Sequence, residues 1–283
     1  MSQSIALDRV THAYRTEAGP LPVLDDVSMD LPEGSFTAVV GPSGCGKSTL
    51  TRLVAGLMKP DAGEVRLGGA PVTGPRKTVG MAFQNPVLLE WRTILRNVML
   101  PLEIVGGMST AAREARAREL LALVGLEGYE DARPSELSGG MRQRASLCRS
   151  IVHRPEVLIL DEPFGALDAF TREDLWQTMR DLRAVERFTT VLITHDLRES
   201  VFLGDRVVVF SARPARAQRV VEVDLPADRA LDSLYTPRAV ELLALLRREI
   251  QIAQGRDVPE APAAPAPGPA PMERPGLHGE AAR

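Results

Sequence analysis

The sequence predicts an α/β fold built on a mainly parallel sheet, with an N-terminal antiparallel β subdomain and an inserted α-helical subdomain. Three observations predict it. Short, largely apolar and β-branched runs at 157–160, 190–194 and 206–210 are separated by helical stretches, the pattern of parallel strands joined by crossovers. Two earlier stretches, 6–14 and 23–31, alternate apolar and polar residues, as half-buried strands do. From Leu95 to Ile151 the pattern turns helical, between two parts that form sheet.

In chain order, the first 69 residues read as strands and turns around one strand–loop–helix unit. Phe36-Thr37-Ala38-Val39-Val40 is a buried strand, and Leu50 to Gly56 a helix. Between them, Gly41-Pro42-Ser43-Gly44-Cys45-Gly46-Lys47-Ser48 fits G-x-x-x-x-G-K-[ST], with Thr49 after it. Glycines there let backbone N–H groups turn inward at a helix N-terminus that already favours anions. Lys47 brings a compact positive charge to phosphate oxygens, and the Ser48 hydroxyl is placed to ligate Mg²⁺. Lysine otherwise occurs only at Lys59 and Lys77 in a chain that relies on arginine, so Lys47 stands out. The expected ligand is a nucleoside triphosphate.

Val79 to Phe83 is a further buried strand, ending at Gln84. Ala111 to Val124 carries apolar residues at helical spacing and stops at Gly125. Val157-Leu158-Ile159-Leu160 runs into Asp161-Glu162, so two carboxylates stand at a strand tip: Asp161 to hold Mg²⁺ and Glu162 to polarise an attacking water. Leu242 to Ile252 is an amphipathic helix within a helical extension from about 215 to 257, and 258–283 is a Pro/Ala-rich stretch expected to be disordered.

Composition narrows the function. With 283 residues and a net charge of −3, the chain lacks the basic stripe of a nucleic-acid binder, and no nucleic acid partner is expected. No apolar run approaches the ~18 residues of a membrane span, and the first residues lack the pattern of a signal peptide. Cys45 and Cys148 make neither a disulfide framework nor a metal site. A cytosolic placement follows.

Leu137-Ser138-Gly139-Gly140-Met141 resembles the LSGGQ signature of the ATP-binding cassette (ABC) ATPases, with Met141 where Gln is commonest. Physically it is a second anion site, a hydroxyl and two glycine N–H groups opening a helix. In that family the signature serves the nucleotide held by the other protomer, so the resemblance implies a homodimer with ATP at its interface. Further marks fall in order: Gln84 matches the Q-loop glutamine that contacts Mg²⁺ and the attacking water, and Ala166-Leu167-Asp168 the D-loop that crosses the dimer interface. His195 matches the switch histidine that contacts the γ-phosphate, and Tyr14 the aromatic that stacks on adenine. The resemblance spans Ser4 to Ile252, so residues 1–257 read as one ABC ATPase domain, with the helical subdomain at about 90–152.

Within the family the chain looks most like importer subunits for nitrate, aliphatic sulfonates and taurine. The cues are Pro71 to Pro75, Phe83 to Thr93 and Asp161 to Asp168, although Glu90 replaces the usual Pro before Trp91 and Cys148-Arg149-Ser150 the commoner Ala-Arg-Ala. The implied protein is a peripheral ATPase subunit on the cytoplasmic face of the inner membrane. It would dock on integral permease subunits through Gln84 to Val98, where Leu88, Leu89 and Trp91 offer bulky apolar groups, and serve an extracytoplasmic solute-binding protein. An exporter subunit and a non-transport ABC ATPase are the alternatives. The long heptad arms or second cassette of the non-transport members are absent from the sequence.

Overall fold

A computed structural model describes residues 2–165 and 167–256; Met1, Ala166 and the Pro/Ala-rich stretch expected at 258–283 lie outside the described residues. Two sheets form the frame. The first is antiparallel, in the order β2-β1-β4-β5, from β1 (Ile5–Thr16), β2 (Gly19–Leu31), β4 (Ala62–Leu67) and β5 (Ala70–Pro71). The second has the order β10-β9-β3-β8-β7-β6, from β3 (Phe36–Val40), β6 (Val79–Ala82), β7 (Val157–Asp161), β8 (Thr189–Ile193), β9 (Arg206–Phe210) and β10 (Ala217–Glu222). Strands β3, β6, β7, β8 and β9 run parallel, and β10 joins β9 antiparallel.

Strand alternation divides the core. Ala38, Val40, Leu158, Leu160 and Leu192 face one buried cluster, while Val39, Ile159, Val191 and Ile193 face another. The first cluster takes in the apolar faces of helices α2 (Ile94–Val105), α3 (Thr110–Leu123) and α4 (Gly139–Ile151), through Val98, Leu120 and Leu147. The second joins α1 (Lys47–Val54) to the antiparallel sheet, through Leu50, Val10, Val27 and Leu67. Both faces of the parallel strands are covered, which is why they read as unbroken apolar runs rather than alternating ones.

Each helix in the block starts where the sequence supplies a cap. The side chains of Thr93, Ser109 and Ser138 accept from the backbone N–H groups of Arg96, Ala112 and Met141. Helices α5 (Ala169–Val185) and α6 (Leu197–Leu203) begin in the same way at Asp168 and Asp196.

One expectation needs correcting. The region from about 215, read as a helical extension, begins as strand β10; a 3₁₀ turn at Leu231–Tyr235 follows, and only α7 (Pro237–Ala253) is a long helix. Pairing with β9 decides this: Val220 and Val221 lie opposite Val208 and Val207, and Val221 is buried. Tertiary pairing at a sheet edge gives a short segment its strand state, a preference weak in the isolated sequence. Among the described residues, no helix is long and apolar enough to cross a membrane.

Candidate active site

The carboxyl ends of β3, β7 and β8 meet on one edge of the parallel sheet, where α/β folds bind ligands. The loop after β3 runs from Gly41 to Gly46 into α1. Gly44 and Gly46 hold φ of 72° and 129°, which L-residues with a Cβ avoid. At Gly46 a Cβ would also lie 2.7 Å from Val23 Cγ1, so only glycine fits against β2. The Lys47 ammonium donates to the carbonyls of Gly41 at 2.9 Å and Pro42 at 3.0 Å and stays within the loop. Cys45 is buried beneath it, and burial pushes its thiol pKa up.

At the tip of β7, Asp161 Oδ1 accepts from the Ser48 hydroxyl at 3.1 Å, and Oδ2 from Thr51 Oγ1 at 3.4 Å. Burial raises the pKa of this carboxyl, the charge of Glu162 adds to the rise, and the two hydroxyl bonds oppose it. Glu162 adopts φ of 49°, an unusual state for a residue with a side chain, and its N–H donates to Ile193 O at 2.9 Å. This geometry aims the Glu162 carboxylate away from the strand. Its Oε2 accepts from Gln84 Nε2 at 3.2 Å and lies 3.3 Å from His195 Nδ1. Side chains after three different strands thus meet at one carboxylate oxygen.

Behind His195, Thr194 Oγ1 donates to Glu199 Oε2 at 2.9 Å. Glu199 is buried, and burial pushes its carboxyl pKa up to about 8. On the opposite side, the Tyr14 hydroxyl lies 3.1 Å from Thr49 Oγ1, and the His12 ring packs edge-on against the Tyr14 ring at 5.2 Å. A cavity of about 580 Å³ opens between these parts, lined by Tyr14, Lys47, Thr49, Gln84, Glu162 and His195 among others.

Ser138, Gly139, Gly140 and Asp168 do not line this cavity among the described residues. Ser138 and Gly139 are exposed, and Ser138 Oγ accepts from Met141 N at 3.3 Å. Asp168 is also exposed, and its Oδ1 accepts from Thr171 N at 3.0 Å. Next to it, Phe170 is 83% exposed, unusual for a phenyl ring. Gln143 on α4 donates to Phe83 O at 3.3 Å, tying the signature helix to the residue before Gln84. In the segment from Gln84 to Val98, Trp91 is 74% and Val87 57% exposed, but Leu88 is buried. Leu88 therefore packs into the core instead of adding to the exposed apolar surface read there.

Several groups at the site escaped the sequence reading. Thr51, one turn beyond Ser48, reaches Asp161 because residues three apart share a helix face. That spacing was visible in the sequence. Leu21, Val23 and Arg213 line the cavity only because β2 and the loop after β9 fold over it, and no local motif marks them.

Residues 24–165 match the ABC transporter family. The chain is 44% identical over 211 residues to a bicarbonate transport ATP-binding protein of Synechocystis sp., covering 74% of this chain and 75% of that protein. It is 41% identical over 211 residues to an aliphatic sulfonates import ATP-binding protein of Bacillus licheniformis, covering 75% and 81%. A solved dimeric structure of a bacterial ABC transporter cassette superposes with a TM-score of 0.72 at 32% identity, covering 78% of this chain and all of that one. The same cassette has been solved as a dimer in a post-hydrolysis state bound to ADP and phosphate, at 31% identity and the same TM-score of 0.72.

Proposed function

The chain belongs to the ABC transporter family and is an ATP-binding, ATP-hydrolysing cassette, and on that premise we propose that it is the ATPase subunit of an importer. Two copies close around two ATP molecules on the cytoplasmic face of the membrane and drive separate permease subunits. An extracytoplasmic binding protein hands those subunits a small anion of the nitrate, sulfonate or taurine kind. The relatives named for bicarbonate and sulfonate transport support the importer and anion readings.

The observation that carries the chemistry is the meeting of Gln84, Glu162 and His195 beside the phosphate loop. Glu162 takes a proton from the attacking water as it adds in line to the γ-phosphorus. Gln84 and His195, both already at Glu162 Oε2, orient the water and the γ-phosphate. Lys47 leaves the Gly41 and Pro42 carbonyls for the phosphate oxygens, where its charge stabilises the transition state more than the ground state. Tyr14, pinned through its hydroxyl to Thr49, offers its ring face to adenine.

The site suits Mg²⁺. Ser48, Asp161 and Gln84 supply hard oxygen donors, and their small number leaves room for phosphate oxygens and water. When bound, Mg²⁺ neutralises charge on the transferring phosphoryl group.

Ser138, with the N–H groups of Gly139 and Gly140, and Asp168 complete the site of the partner protomer. Their exposure, the bare Phe170 ring, and the dimeric state of the similar cassette support this reading. Permease docking is supported by the exposed Trp91 and Val87, and by a cavity of about 460 Å³ between β6 and α2, lined by Phe83, Leu100, Ile104 and Arg149. The test is co-expression with a permease and a solute-binding protein of the sulfonate, nitrate or bicarbonate class from the same genome. Co-purification and ATP-driven uptake of a sulfonate, nitrate or bicarbonate into proteoliposomes is expected. Outward transport or no association would contradict the importer reading.

A further inference from the structure

On the sheet edge opposite the nucleotide, Arg180 and Arg183 of α5 meet Arg229, from the loop after β10, around a cavity of about 320 Å³. Asp205, just ahead of β9, lines the same cavity, and its N–H bonds Phe36 O at the start of β3. The phosphate loop leaves the far end of β3, roughly 17 Å away at about 3.3 Å per residue.

Charge at this cavity is unbalanced. Asp205 Oδ1 accepts from Arg183 Nη1 at 2.9 Å; its Oδ2 accepts from Arg183 Nη2 and, at 2.8 Å, from Phe36 N. That leaves one carboxylate fully engaged by one arginine. Among the described residues, Arg180 and Arg229 make no salt bridge. They donate instead to backbone carbonyls: Arg180 to Phe202 O at 2.9 Å and to Ala227 O, Arg229 to Phe202 O at 2.8 Å and Gly204 O at 2.5 Å. Carbonyls satisfy N–H groups but do not cancel a charge, and Arg229 is only 4% exposed. Asp205, Asp181 and Asp228 act on Arg180, and Asp205 on Arg229, only through longer-range attraction.

Burial and like charge both act on these guanidinium groups. Burial, and next the charge of Arg180, push Arg229 down to about 10; burial and Arg183 likewise lower Arg180. The rest of the lining is apolar: Ala184, one turn beyond Arg180 on α5, with Val223, Leu225 and Ala227.

We propose that this cavity binds a small organic anion, a carboxylate or sulfonate whose head pairs with Arg180 and Arg229 and whose short apolar tail lies against Val223 and Leu225. Each guanidinium keeps N–H donors beyond those given to the carbonyls, and an anion there adds the charge that the carbonyls do not supply. The cavity is larger than a bare oxyanion requires, and its apolar wall selects a ligand with a tail.

The test uses the full chain saturated with a non-hydrolysable ATP analogue, so that the phosphate loop is already filled. Ethanesulfonate is titrated at constant ionic strength against chloride, and binding is read by calorimetry and by the unfolding midpoint. The expected result is saturable binding and a rise in the midpoint of roughly 2–4 °C. Arg180→Gln should weaken binding at least about tenfold, the scale of losing one charge-assisted pair. Ala184→Trp keeps all three arginines at an exposed position and fills the cavity, so it should abolish binding even if Arg180→Gln fails to fold. Absence of binding to the wild-type chain, an equal response to chloride, or unchanged binding in Ala184→Trp would overturn the proposal. Sulfate binding as tightly as ethanesulfonate would overturn the assignment to an organic anion.

Discussion

The phosphate-loop half and the proposed signature half both rest on a helix N-terminus that can present N–H groups to an anion. In the first the helix follows a glycine turn; in the second the N–H groups come from the helix's own first glycines, Gly139 and Gly140. They differ in how far this chain completes them. In the phosphate-loop half nearly every functional side chain has a partner: Lys47 with Gly41 and Pro42, Ser48 with Asp161, Tyr14 with Thr49, and Glu162 with Gln84 and His195. In the signature half, Ser138 and Asp168 each cap their own helix and otherwise face solvent, with Phe170 bare beside them. The first half is preorganised and the second is presented. That asymmetry is the expected mark of a composite site in which each chain supplies opposite parts of two identical centres.

The largest expected effect falls on the preorganised half. Glu162→Gln keeps the shape but cannot take a proton, so turnover should fall on the order of 10²–10⁴-fold. ATP binding should survive, and closed dimers should accumulate, read by light scattering. Hydrolysis at the wild-type rate would remove Glu162 as the base.

A pH effect comes next, from Glu199 behind His195. Burial pushes its carboxyl pKa up to about 8, from an ordinary value of 4.5. Below pH 4.5 both states are protonated and Glu199 costs nothing. Between pH 4.5 and about 8 the unfolded chain releases the proton and the folded chain keeps it, so stability falls as pH rises through that window. The loss, on the order of a few kcal/mol, levels off above it. Glu199→Gln should flatten this slope in denaturant titrations across the window; an unchanged slope would assign it to other groups.

Lys47→Ala should weaken ATP binding by about 2 kcal/mol, roughly 30-fold, because it deletes one charged donor from an otherwise intact loop. Nucleotide titration by fluorescence measures this, and unchanged affinity would contradict the loop's assignment. The smallest effect on the isolated chain belongs to Trp91→Ala. An exposed ring contributes little to stability, so the change should stay within about 0.5 kcal/mol and leave basal ATPase activity near wild type. Assembly with the permease should drop. Unfolding of the variant, with normal assembly of any folded fraction, would make Trp91 a core residue.

The preorganised half was also the more legible in the sequence. Phe36 to Val40, the glycine loop and α1 form a continuous strand–loop–helix unit whose chemistry depends on spacing alone. Asp161 and Glu162 stand at the end of an apolar strand for the same reason. Other features depend on three-dimensional closeness that no local pattern records. Arg180, Arg183 and Arg229 converge only because the loop after β10 folds back onto α5. Strand β10 owes its state to the edge of β9, and Leu88 its burial to the adjoining helices. Exposure of Ser138 could not be read at all, since its residue types suit either a buried cap or an open anion site.

The central claim, that phosphate loop and signature act across two chains, is tested most directly by mixing two inactive variants. Lys47→Ala disables the loop and Ser138→Arg blocks the signature, so a mixed dimer collects both lesions in one site and leaves the other intact. An equal mixture should therefore recover ATPase activity well above either variant alone, toward roughly a quarter of the wild-type rate if half the dimers are mixed and intact sites fire independently. Clear hydrolysis by Ser138→Arg alone would contradict the shared site.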